Sequence, residues 1–353
     1  MGLPQIDIRF YTLGTSALKR SEKGVVALVL KDNTNKTFET KIYKSLDEVD
    51  YIDWNETNLD YIKKTFKGIP AKVIVERLDE EEADYNKAFT RLKNKKFNYI
   101  AIPGANEEGM QALTTFTKTQ RNEGRTIKAV VNNIDADCEG IINFVASDIK
   151  VADKLYQGTD YTCRIAGILA GLNMKRSSTY YHLDEVESVK EFDEPNKEID
   201  EGRLILINDG EHVKIARGIN SLVSTTKEKG TKFKKIKIVE AVDQIKEDIY
   251  KVFDEEYVGK VNNSYDNKIL FLSAINAYFK QLQRDEILDP NIEAKAVIDM
   301  QAHRIYIESK GLDVDTMDEQ AIKEFNTESK IFLSAKGSPL DAMEDLSFGM
   351  LII

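Results

Sequence analysis

Histidine is the side chain best suited to proton transfer and metal ligation near neutral pH. The chain carries three: His182, His212 and His303. They stand far apart in sequence, the first two in predicted strands and the third in a predicted helix. A catalytic triad needs a nucleophile and a base within hydrogen-bond reach, and spacing alone neither assembles nor excludes one. No GxSxG, HExxH or P-loop pattern occurs. The histidines therefore read as structural or surface residues. Cys138 and Cys163 fit no CxxC or zinc spacing and read as reduced thiols of a protein made in the cytoplasm. No catalytic, cofactor-binding or metal-ligating residue is expected, nor enzymatic activity.

Two short segments could bind something. Ile102-Pro-Gly-Ala-Asn-Glu-Glu-Gly109 joins a strand to a helix N-terminus, where backbone amides can hold an anion. Its spacing is not GxGxxG, and Glu107 and Glu108 would repel phosphate, so a structural turn is the simpler reading. Lys232-Phe-Lys-Lys-Ile-Lys237 is a basic cluster. It reads first as a solvated face, and second as a patch that docks onto an acidic protein surface.

The 353 residues hold 50 Lys and Arg against 60 Asp and Glu, a formal net charge of −10. That balance argues against nonspecific nucleic-acid binding, which needs a basic surface. Hydrophobic content of 42% and charged content of 31% suit a globular protein of about two domains. No run of about 18 apolar residues occurs, so no membrane insertion is expected, and no signal peptide is recognised.

The elements that would position these residues alternate between strands and helices. A continuous apolar run at 24–30 predicts a buried strand, and alternation over 38–43 a strand that could pair with it. Helices are expected at 45–49, with Ser45 as N-cap, and at 58–66, ended by Gly68 and Pro70. Strand 72–78 follows. Helix 84–93, strand 97–102, a long helix capped by Asn106 and strand 127–131 read as a unit that builds parallel sheets. Residues 143–146 continue the sheet. The helix over 161–172 carries Gly167 and Gly171, whose spacing predicts close packing of helix on sheet. Residues 178–186 alternate like a strand, and 203–217 predict a hairpin around Asn208-Asp209-Gly210. Amphipathic helices are expected over 236–255 and 267–282, further helices over 294–310 and 318–325, and a strand over 330–335.

The two ends are apolar where chain ends are usually polar. Ile6, Ile8 and Phe10 alternate with polar or amphipathic residues. Leu346, Phe348, Met350 and Ile352 line one face of a second period-two segment. Each such segment predicts a strand that pairs either with its own core or with a neighbour.

Taken in order, several segments resemble the sheath proteins of contractile phage tails and of phage-tail-like bacteriocins (tailocins). They are the strand at 24–30; Ala71-Lys-Val-Ile-Val-Glu-Arg77 with Phe97-Asn-Tyr-Ile-Ala-Ile-Pro103; and Arg164-Ile-Ala-Gly-Ile-Leu-Ala-Gly171. The hairpin over 204–215 follows with Ala216-Arg-Gly-Ile-Asn-Ser-Leu222, then Lys235-Ile-Lys-Ile-Val-Glu-Ala-Val-Asp-Gln-Ile245 and Asp341-Ala-Met-Glu-Asp-Leu346. The chain is most similar to the short sheaths of Gram-positive prophages and R-type bacteriocins. The expected fold is α/β: a central mixed sheet flanked by helices, a smaller inserted α/β domain, and extended N- and C-terminal β arms. The implied division is an N-terminal arm (1–19), an inserted outer domain (20–93), a sheath core (94–340) and a C-terminal arm (341–353).

The resemblance implies a structural subunit, made in the bacterial cytoplasm and finally located in the tail, that polymerises as stacked six-fold rings around an inner tube. Its partners would be further copies of itself, the inner tube protein, and baseplate and tail terminator proteins, with no nucleic acid and no cofactor. Contraction would drive the tube through a target cell envelope. The arms, through Ile6, Ile8, Phe10, Leu346, Phe348, Met350 and Ile352, would add strands to neighbouring subunits. His303, Arg304 and Lys310, on a predicted helix, are the candidates to face the tube. Two alternatives stand beside this one: a nucleotide-binding α/β enzyme using the turn at 103–109, and a sheath-like tail capping component.

Overall fold

The computed structural model describes residues 24–227 and 229–352. The chain divides into two compact units, passing from the first to the second after Glu240 and back after Leu340. In the first unit lie β1 (Val25–Lys31), β2 (Thr40–Tyr43), β3 (Lys72–Leu78), β4 (Tyr99–Ala101), β5 (Lys128–Asn132) and β6 (Ile141–Val145). β7 (Ile149–Val151), β8 (Lys154–Tyr156), β9 (Arg203–Asn208) and β10 (Val213–Ile215) follow. Its helices are α1 (Glu56–Phe66), α2 (Asn86–Leu92), α3 (Glu107–Asn122), α4 (Gly158–Gly171) and α5 (Pro195–Asp200).

Among the described residues, eight strands form one sheet in the order β10-β9-β6-β5-β4-β1-β3-β2. The six inner strands run parallel, and the two edge strands, β10 and β2, are antiparallel to their neighbours. A parallel strand covered on both faces needs apolar residues at every position, which is why β1 is a continuous apolar run. Its side chains divide by parity: Val26, Leu28 and Leu30 join a core with Tyr161 and Ile165. Ala27 and Val29 join the core on the opposite face with Phe89 and Leu113. Thus α1 and α4 cover one face, and α2 and α3 the other.

Three sequence expectations change here. The segment expected at 38–43 pairs with β3 rather than with β1, because β1 is already flanked in parallel by β3 and β4. For the same reason the expected boundary at 93/94 runs through a single sheet, and the division between compact units falls at 240/241 instead. The segment 178–186 forms no regular strand; an isolated bridge from His182 to Lys214 and flanking main-chain bonds tie it to the β10 edge.

The glycines of α4 approach a helix end, not the sheet. A Cβ on Gly167 would stand 2.2 Å from the Thr65 carbonyl oxygen, and one on Gly171 1.7 Å from that of Gly68. Only glycine lets the end of α1 lie on α4 at that distance. Beneath this contact, Arg164 donates to the Glu185 carboxylate at 2.6 Å, and the Tyr161 hydroxyl donates to it at 3.1 Å.

Chain order then gives α6 (Ile236–Val252), whose first turn belongs to the first unit. The second unit contains α7 (Tyr265–Arg284), β11 (Lys295–Ile298), α8 (Met300–Ser309), α9 (Glu319–Glu324) and β12 (Leu333–Lys336). Within it the Tyr278 hydroxyl donates to Asp248 at 2.7 Å, linking α7 to α6. The helix expected over 294–310 begins instead as strand β11, and α8 starts after it, where Asp299 accepts from the Ala302 amide as N-cap.

Candidate assembly surface at the chain end and the strand edges

Lys235 sits just before α6, placed by a backbone bridge to Ile219. Its ammonium binds the carboxylates of Asp341 and Glu344, the latter at 3.0 Å. The other oxygen of Glu344 accepts from the hydroxyls of Ser177 at 2.8 Å and Thr179 at 2.6 Å. The Thr179 hydroxyl in turn accepts from the Gly218 amide at 2.9 Å. Arg217 pairs with Asp345. Three tail carboxylates thus grip three separate segments of the first unit.

The Glu344 side chain is only 4% exposed. Burial alone would raise its pKa, but the bonds from Thr179, Lys235 and Ser177 carry it below the ordinary glutamate value. Burial likewise opposes the charge on Lys235, and its bonds to Asp341 and Glu344 hold its pKa above the usual lysine value. Of the basic cluster at 232–237, Lys235 pairs with carboxylates of the chain's own tail.

Beyond this root the chain leaves the core. Leu346, Phe348, Met350 and Ile352 are 91%, 80%, 71% and 83% exposed. Residues 346–352 belong to no strand. Burying each such side chain is worth about 1.5–3 kcal/mol, so the segment is apolar surface without a partner among the described residues. Ile6, Ile8 and Phe10 lie outside the described residues.

The sheet edges differ in how far they are occupied. Beyond β10, the amides of Tyr180 and Leu183 donate to Ile215 and Val213, both at 2.8 Å. In the second unit β11 and β12 form a two-stranded antiparallel sheet. Its register turns the main-chain groups of Ala296 away from β12, and the Asn276 side chain of α7 takes both. Asn276 Nδ2 donates to the Ala296 carbonyl at 3.1 Å, and the Ala296 amide donates to Asn276 Oδ1 at 2.7 Å. By the same alternation, Leu333 and Ala335 of β12 present theirs outward, and no bond to them is seen among the described residues. Beside β11 lies a groove of about 470 Å³ lined by Ile269, Leu272, Val297, Ile298 and Met300.

The expected tube-facing residues separate. His303 is fully buried, with Nδ1 3.0 Å from the Asp299 carbonyl and its ring edge-on to Phe332. It can face no partner. Arg304 and Lys310 remain at the surface, Lys310 paired with Glu328 at 2.9 Å. The turn at 103–109 is filled from within the fold: the Gly104 amide donates to the Thr159 carbonyl, and Asn106 Oδ1 accepts from the Gly109 amide. Sequence reasoning missed Glu344 and Asn276. An acidic tail facing a basic cluster was the available signal for the first, and nothing local marked the second.

Two family models match most of this architecture. The phage tail sheath protein central domain matches residues 80–221, and the phage tail sheath C-terminal domain matches 228–352. The tail sheath protein of Clostridium phage phiCD119 is 37% identical over 359 residues, covering 98% of both chains. The chain belongs to the phage tail sheath family. The fold agrees with solved sheath structures. The crystal structure of the sheath tail protein from Listeria innocua aligns with a TM-score of 0.71 at 17% identity, over 94% of this chain and 99% of that one. A chain of the anti-feeding prophage baseplate in its contracted state aligns with a TM-score of 0.67 at 10% identity, over 100% and 99%. As a tail sheath protein, this chain is related to structural components of phage tails. No helix among the described residues is long and apolar enough to cross a membrane.

Proposed function

We propose that this sheath protein polymerises helically, as stacked six-fold rings around an inner tube, and contracts to drive that tube through a target cell envelope. In this reading it is made in the bacterial cytoplasm and ends in the phage or bacteriocin tail, where it meets the tube, the baseplate and the tail terminator. The observation that carries the reading is the chain end: a root fixed by three carboxylates, followed by apolar residues that stand in solvent.

Each arm would add a strand to a neighbouring copy. Main-chain hydrogen bonds supply affinity and alternate side chains specificity. The β11–β12 sheet is the favoured receiver, since a two-stranded sheet is marginal in water and a third strand completes it. The arriving strand would pair with Leu333 and Ala335, because Asn276 occupies the opposite edge. A head-to-tail link that does not close on itself generates a helical array. During contraction the subunits would move as rigid bodies while the strands hold. Arg304 and Lys310 are the remaining candidates to face the tube.

Removing residues 346–353 tests the reading. The expected product is a folded, soluble chain that forms no tubes by negative-stain electron microscopy. Tubes from that truncated chain would overturn the arm-linked assembly.

A further inference from the structure

His182 and His212, two of the three histidines in the chain, meet across the β10 edge. The bridge from His182 to Lys214 is antiparallel. Asp184 lies in the turn just after His182, and His212 stands just before β10, so two imidazoles and a carboxylate gather at this edge beside Lys214. The imidazoles stack with centroids 4.6 Å apart and planes at 23°. One ligand atom each from His182, Asp184 and His212 lie within 4.8 Å of one another, all on exposed residues.

The neighbouring ammonium is drawn away. Lys214 Nζ lies 2.6 Å from Asp209 Oδ2 in the hairpin turn. Asp209 Oδ1 also accepts from the His212 amide at 2.8 Å, so one turn carboxylate fixes the His212 backbone and takes up the neighbouring ammonium. What remains at this edge is two imidazoles and a carboxylate.

We propose that His182, Asp184 and His212 bind a borderline divalent transition-metal cation of the zinc type. Imidazole with carboxylate suits such ions, and three protein ligands leave a position for water. Metal–ligand distances of about 2.0–2.2 Å with tetrahedral angles require ligand atoms about 3.4 Å apart. Closing the set to that spacing would fall to side-chain rotation at these three exposed positions. The ion would cross-link residues 182–184 to the β9–β10 hairpin and so clamp that edge of the sheet.

The test uses the untagged full chain, stripped with chelator and titrated with zinc by calorimetry, with cobalt as a spectroscopic probe. The expected result is one ion per chain, a rise in the thermal midpoint, and visible cobalt bands. His182→Ala and His212→Ala should each weaken binding at least about tenfold, and Asp184→Asn should weaken it as well, while their metal-free melts match the parent. An absence of zinc binding by the parent, or binding unchanged in both histidine variants, overturns the proposal.

Discussion

Lys235 Nζ lies 3.0 Å from Glu344 Oε2, so the residue just before α6 also holds the base of the C-terminal segment. The same carboxylate receives Ser177 and Thr179. The apolar segment beyond it therefore leaves the core at a defined place and in a defined direction.

Breaking this root should loosen the tail while leaving the sheet intact. Glu344→Gln removes the charge from three hydrogen bonds, and charge-assisted bonds are worth about 1.5–3 kcal/mol each. Limited proteolysis after residue 340 should accelerate, with the global thermal midpoint nearly unchanged. A large fall in the midpoint would mean that the root supports the fold as well.

The root should also respond to pH at both extremes. Glu344 is lowered below its ordinary value of 4.5, so its stabilisation is present above that value and is lost as pH falls through the lowered one. Lys235 is raised above its ordinary 10.5, so its contribution is present below that value and is lost as pH rises through the raised one. Protection of the amides of residues 341–345, taken relative to their intrinsic exchange rate at each pH, should be greatest between these limits. The acid-side loss of protection should be absent in Glu344→Gln.

The contact between α1 and α4 should tolerate no side chain. Gly171→Ala would place a Cβ 1.7 Å from the Gly68 carbonyl oxygen, a backbone atom that cannot rotate aside. Overpacking of this severity should cost about 3 kcal/mol or more, read from urea unfolding. Gly349→Ala, with no atom within 4 Å, is the control and should leave the midpoint in place.

Asn276 should matter as an edge plug. Asn276→Ala leaves the Ala296 amide and carbonyl unpaired in a nearly buried position, at a cost of about 1–3 kcal/mol. It also opens a second strand edge beside the apolar groove. Light scattering of the variant at rising concentration should show irregular association that the parent lacks.

Much of this fold is legible in local patterns. The apolar run of β1 announces a strand buried on both faces. Gly210 at φ 95° is the turn residue that the hairpin around Asn208-Asp209-Gly210 requires. Asn106 caps α3 as expected, because a side-chain oxygen beside a free amide is a local matter. The apolar chain end is equally legible, since period-two alternation needs no knowledge of what lies beside it. Partners distant in sequence are another matter. The 38–43 segment pairs with β3 because β1 had no edge left to offer, which depends on the whole strand order.

By itself, then, the sequence determined the strand-rich α/β character, the hairpin, the Asn106 cap and the apolar alternation over 346–352, all set by interactions within a few residues. Tertiary structure alone decided that Lys235 clasps Glu344, that His303 is buried while His182 and His212 meet, and that Asn276 closes one strand edge and leaves Leu333 and Ala335 open. These pairings join residues separated by tens of positions. Their geometry is fixed by the packing of the sheet and its helices, which no local period records.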